Sequence, residues 1–183
     1  MFQVPHGIQK AKAMADVEMI GEVSDFPGEL TEAHVEQYHE TGYLAFENVL
    51  SQQEVEEARA ALTGITIALM ARAKRGEAKI LERPGATKNY AGIQVISPDS
   101  GFGIHFEAGI DPLELPLEEV ELKFRKLHGY HQEHPVFAKM ALENRNIIGP
   151  MASVVGEDVV LKAEMALSKP PFIGSEKPWH QDN

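Results

Sequence analysis

Apolar residues recur at helical spacing most clearly between Ser51 and Gly76. Val55, Ala58, Leu62, Ile65 and Leu69 fall three or four apart and so share one face of a helix. Ser51 and Glu54 ahead of this run form an S-x-x-E capping box, with Leu50 and Val55 placed for a hydrophobic staple. Arg72, Lys74 and Arg75 complement the negative end of the helix dipole, and Gly76 is a stop signal. A shorter helix is predicted over Thr31–Thr41, with Val35 and Tyr38 on one face and Gly42 as its stop.

Elsewhere the period shortens to two. Val159, Leu161, Ala163, Met165 and Leu167 alternate with Lys162, Glu164 and Ser168, which predicts a half-buried strand over Val159–Ser168. Tyr43–Leu50, Ala91–Ile96 and Gly103–Phe106 also read as strands. Pro116 can open a helical stretch through Leu127. His134-Pro135 can open another, with Phe137, Met140 and Ala141 inward and a break near Gly149-Pro150; Gly156 closes a last short helix. Residues 1–29 have no clear period and read as a loosely docked arm, leaving 30–183 as the domain proper.

Composition narrows the classes. At 183 residues the chain fits one domain of ordinary size, and its apolar share of 43% supports a real core. No apolar run approaches the ~18 residues of a membrane helix, and Met1–Ile20 lacks a signal-peptide core. The net charge of -11 disfavours nucleic acid and anionic membrane surfaces as partners. There is no cysteine, so thiolate metal sites are excluded and the cytoplasm is the default location.

Candidate chemistry rests on histidine. His180 and Asp182 are two apart, so in an extended strand their side chains share a face and can meet one metal ion. One His and one carboxylate are two of the three ligands of the facial triad of non-haem iron oxygenases, and the third should be another His. His128, His131 and His134 also suggest a metal site. On a helix, however, the outer two would sit about 600° apart, and Gly129 and Pro135 oppose a continuous helix, so they read as surface or loop histidines. His34 and His39 do not share a face and read as exposed; His105 lies in a strand as a core or site-lining residue. No nucleophile elbow, G-x-G-x-x-G or Walker A pattern is present.

Two blocks resemble a known family. LTEAHVEQYHETGYLAFENVLSQQEVEEARAAL, residues 30–62, and VVLKAEMALSKPPFIGSEKPWHQDN, residues 159–183, are similar to the opening and the metal-binding stretch of the phytanoyl-CoA dioxygenase family of Fe(II)- and 2-oxoglutarate-dependent oxygenases. The resemblance implies an α+β fold in which N-terminal helices pack on the first strands of a double-stranded β-helix, or jelly roll. It implies His180 and Asp182 as iron ligands, with Gln181 and Met165 bordering 2-oxoglutarate. In KLHGYHQEHPVF, residues 126–137, Lys126 would be the cation for a carboxylate of that cosubstrate. Trp179 would pack beside the metal strand. Related halogenases carry a small residue in place of the carboxylate, so Asp182 implies hydroxylation, with O2 as oxidant. The substrate is expected to be a small organic molecule. An acyl-CoA is not expected, because the acidic chain shows no convincing basic cluster for its phosphates; Arg72, Lys74, Arg75 and Lys79 read as a cationic helix end. In the family a distal His and an oxoglutarate-anchoring Arg follow the His-x-Asp strand, and residues 1–183 do not supply them there. The expectation is therefore an incomplete jelly roll and no turnover by this chain alone. The alternative is a non-catalytic remnant or helical binding module of the same fold. The oligomeric state is left open.

Overall fold

Thr31 and Ser51 each start a helix by the same device. In the computed structural model, which describes residues 23–83, 92–170 and 172–175, both residues form complete capping boxes. Thr31 opens α1 (Glu32–Thr41), where His34 supplies the reciprocal contact; Gly42 ends it at φ 83°, a left-handed cap that glycine adopts without strain. His34 is thus a capping residue and half-buried, where free exposure was expected. Ser51 opens α2 (Gln52–Lys74), its backbone N–H donating to Glu54 Oε2 at 2.8 Å. Ser51→Ala is expected to cost about 1 kcal/mol, the usual value of an N-cap. Urea unfolding checks this, with a lower midpoint and an unchanged slope.

The chain forms two units, the first ending at Val49 and the second starting at Leu50. In the first, β1 (Ser24–Asp25) pairs in parallel with β2 (Phe46–Glu47), and α1 connects them. The Phe46 ring meets Phe26 and His34 edge-on at 5.6 and 5.5 Å. The strand predicted over Tyr43–Leu50 shrinks to Phe46–Glu47. Asn48 takes φ 57° and turns the chain, its side-chain amide donating to Asp25 Oδ1.

The second unit holds an antiparallel sheet of five strands in chain order: β3 (Lys79–Arg83), β4 (Gly92–Ile96), β5 (Gly103–Phe106), β6 (Phe124–His128) and β7 (Met165–Leu167). Direct cross-strand neighbours Val95, Ile104 and Leu127 are fully buried and belong to one core with Ile65, Leu69 and Met70 of α2. The architecture is α+β.

Three expectations are corrected. The helix expected from Pro116 to Leu127 is a 3-10 helix, Leu117–Leu122, followed by β6, so Lys126 lies on a strand. The break expected at Gly149-Pro150 does not occur: α3 (Pro135–Leu142) ends earlier, and α4 (Arg145–Val155) runs through Pro150. The residue before a proline normally leaves the helical region because its Cβ meets the ring, and Gly149 has no Cβ. Finally, only Met165–Leu167 of the predicted Val159–Ser168 strand is strand, and Ala166 is the residue paired with core Leu127. Met165 and Leu167 face the other way, 53% and 70% exposed.

Candidate functional site

Alternation along a strand sends the neighbours of the core residues to the second face of the sheet. Register sets two rows there. Leu81, Gln94, His105, Lys126 and Leu167 lie side by side, as do Lys79, Ile96, Gly103, His128 and Met165. These strand positions bring cations, imidazoles and an amide to this face and no carboxylate.

Lys126 and Met165, implicated together from sequence, meet on it: Lys126 Nζ lies 3.9 Å from Met165 Sδ. The other three residues so implicated, His180, Gln181 and Asp182, lie outside the described residues, as does Trp179. Among the described residues, no group of three or more His, Asp or Glu could hold a metal ion. Ser175 is held beside the end of β5: its backbone N–H donates to buried Glu107, the residue after that strand, at 3.1 Å, and its hydroxyl donates to the same carboxylate.

Beside Lys126 sits a pair the sequence reading only half identified. His105 is 6% exposed, and its Nε2 lies 3.1 Å from Nδ1 of His128. Burial, then the charges of Lys126, His128, Arg83 and Arg125, push the His105 pKa down to about 3. Burial and the charges of Lys126 and Arg83 lower His128 as well. Both rings are neutral hydrogen-bonding groups at physiological pH. The His128 ring lies over Gly103, where an added Cβ would come within 2.2 Å of its Cε1; glycine makes the room. His128 is therefore a face residue of a strand, which corrects its reading as a surface or loop histidine.

Gln94 completes the cluster. It is 3% exposed, its Nε2 is 3.4 Å from His128 Nε2, and its Oε1 has no hydrogen-bond partner among the described residues. A polar residue between Ile93 and Val95 was the available sequence signal, since alternation in a strand predicts that it faces away from the core.

The other two histidines of the H-x2-H-x2-H run go elsewhere. His131 binds Glu164, Nδ1 to Oε1 at 2.5 Å, and its N–H donates to the same oxygen. Burial raises the Glu164 carboxyl, but these contacts outweigh it and hold its pKa below the usual range. His134 caps α3. On the helix side of the sheet, a groove of about 730 Å³ is lined by residues including Val55, Leu62, Phe137, Met140, Ile148 and Leu161. Its lining is mostly apolar, with Arg59, Lys162 and Glu164 as the charged residues at its wall. No described helix is long and apolar enough to cross a membrane.

Among protein-family models, the one described as Phytanoyl-CoA dioxygenase (PhyH) matches residues 38–183, well over half of the chain. No curated protein and no solved structure matches.

Proposed function

The chain belongs to the phytanoyl-CoA dioxygenase family, and on that premise we propose that it works as an Fe(II)- and 2-oxoglutarate-dependent dioxygenase hydroxylating an unactivated C–H bond of a small organic substrate. The observation that carries this reading is the meeting of Lys126 and Met165. Nearly forty residues apart in sequence, they come within 3.9 Å on adjacent strands of one sheet face. In this reading the five-stranded sheet is one wall of a jelly roll, and its polar face is the interior.

The donor set suits the cosubstrate. Lys126 offers an ammonium to the carboxylate remote from the keto acid, and the Met165 thioether gives an apolar wall to the methylene chain. The neutral His105 and His128 add hydrogen-bonding capacity without further charge. His180 and Asp182 provide the imidazole and carboxylate for iron, and Gln181 between them borders the cosubstrate. Bound iron with 2-oxoglutarate and O2 supplies oxidative decarboxylation to succinate and CO2, with one oxygen atom going to the substrate. The chain's own residues orient the cosubstrate and exclude competing reactions.

Two measurements test this. Anaerobic Fe(II) titration with 2-oxoglutarate, followed by visible charge-transfer absorption, is expected to give a band that His180→Ala and Asp182→Ala abolish. Lys126→Ala is expected to weaken 2-oxoglutarate binding about 10- to 100-fold, the ~1.5–3 kcal/mol of a charge-assisted hydrogen bond, with partial recovery in Lys126→Arg. Wild-type cosubstrate affinity in Lys126→Ala would remove the role assigned to this lysine.

A further inference from the structure

We propose that the side-chain oxygen of Gln94 anchors the substrate on the polar face of the sheet, accepting a hydrogen bond from a neutral hydroxyl or amide N–H of that molecule. The word substrate rests on the oxygenase reading above; the preference for a neutral donor does not.

The oxygen is a fixed acceptor with nothing to accept. Gln94 is 3% exposed, and its Oε1 has no hydrogen-bond partner among the described residues. Buried carbonyl oxygens are nearly always paired, so such an orphan marks a place where a donor is received. The other half of the amide sets its direction. Gln94 Nε2 lies 3.4 Å from His128 Nε2, and His128 Nδ1 lies 3.1 Å from His105 Nε2. One pair of neutral tautomers serves both contacts: His128 accepts from the Gln94 NH2 at Nε2, and its Nδ1–H donates to His105. The His128 ring is itself seated over Gly103. Turning the amide over would set its oxygen against the unprotonated Nε2. His128 and His105 are thus positioning residues, and Gln94 makes the contact.

The donor is not the cosubstrate's. At physiological pH 2-oxoglutarate is a dianion whose oxygens all accept, and O2 carries no donor either. Gln94 also stands two strands from Lys126 in the same row, roughly 10 Å away at about 4.8 Å per strand. Of the molecules the reaction brings together, the substrate is left to supply the hydrogen.

Charge narrows the donor further. Lys126, Arg83 and Arg125 all oppose protonation of the His105 ring, the cross-strand neighbour of Gln94. An ammonium group would meet the same repulsion. Glu164 acts on His128 in the opposite sense, but after Lys126 and Arg83 in size. A neutral O–H or N–H escapes this penalty. Leu81, the neighbour of Gln94 on β3, places an apolar side chain beside it. The substrate class is therefore a molecule with a hydroxyl or amide N–H next to an apolar part. A plain hydrocarbon at this point would leave the oxygen unpaired and be rejected for it.

The test uses the full chain and three small probes that differ in their donor: N-methylacetamide with a neutral N–H, N,N-dimethylacetamide with none, and methylammonium with a cationic one. Each is titrated with and without 2-oxoglutarate, and the Gln94 side-chain 13Cδ and 15Nε2 signals report the contact. N-methylacetamide is expected to shift these signals and to bind at least tenfold more tightly than the other two, with its affinity unchanged within twofold by 2-oxoglutarate. Gln94→Met, which keeps the side-chain length and removes the amide acceptor, is expected to abolish that preference. The wild-type signals decide the matter if Gln94→Met does not fold. No binding of N-methylacetamide, equal binding of N,N-dimethylacetamide, tighter binding of methylammonium, displacement by 2-oxoglutarate, or a preference that survives Gln94→Met would overturn the assignment. If the preference is found and 2-oxoglutarate does not bind at all, the donor site stands and the oxygenase reading falls. If 2-oxoglutarate binds and the preference is absent, the reverse holds.

Discussion

Gly92→Ala is expected to destabilise the fold by about 2–5 kcal/mol, combining the backbone strain of a positive φ with overpacking. Gly92 has φ 137°, and an added Cβ would lie 2.4 Å from the carbonyl oxygen of Phe106. That neighbour is backbone, so it cannot swing aside as a side-chain tip would. Phe106 ends β5, the strand that pairs with β4, so its carbonyl is fixed by the sheet itself. Gly64→Ala is the matched control. Gly64 lies inside α2 with nothing within 4 Å of an added Cβ, so the same methyl is expected to stabilise by about 0.5–1 kcal/mol. Urea denaturation of both variants decides it. A Gly92→Ala cost below about 0.5 kcal/mol would mean that β4 and β5 do not approach as described.

Acid is expected to unfold the protein through His105. The imidazole titrates near 6.5 when unfolded and near 3 when folded. Above pH 6.5 both states are neutral there and the full stability is present. As pH falls toward 3, the unfolded state takes up a proton that the folded state refuses, and stability is lost at up to about 1.4 kcal/mol per pH unit. At pH 5 the loss is about 2 kcal/mol. His128, lowered by burial and by Lys126 and Arg83, pulls in the same direction, while Glu164 acts against its lowering. The pKa of Glu164 is itself held low, so its stabilising contacts are lost as it protonates, again on the acid side. Melting temperature followed from pH 4 to 8 checks this, and His105→Asn is expected to flatten the profile between 5 and 6.5. A slope unchanged in that variant would assign the acid sensitivity elsewhere.

The parts of the fold that were legible are those whose signal is local. A capping box and an apolar stripe specify α2 within its own sequence, and both its start and its basic end were read correctly. β5 was readable because four consecutive residues sit between glycine-rich turns. β6 was not, for a definite reason. The bulge lets Phe124 and Leu127, three apart, pair with Phe106 and Ile104, two apart, so both point into the core. Together with buried Val120, the spacing is then four and three, which is the signature of a helix although none runs through it. β3 was missed because its ends, Lys79 and Arg83, are charged and only two apolar residues lie between them. The candidate site was legible as far as family resemblance named residues, which gave Lys126 and Met165. Their surroundings were not, because Gln94, His105 and His128 become neighbours only through register across three strands.

One carboxylate joins two helix beginnings. Glu54 closes the capping box of α2, and its Oε1 accepts from the Asn144 side chain at 2.9 Å. Asn144 is itself the N-cap of α4, its Oδ1 accepting from the backbone of Asn146. The Ser51 contacts, followed by the smaller one from Asn144, hold the Glu54 carboxyl ionised to lower pH than usual. The first turns of α2 and α4, about ninety residues apart along the chain, are therefore expected to fray together, which matching hydrogen-exchange rates of their first amides in the wild type, and unequal rates in Asn144→Ala, would show.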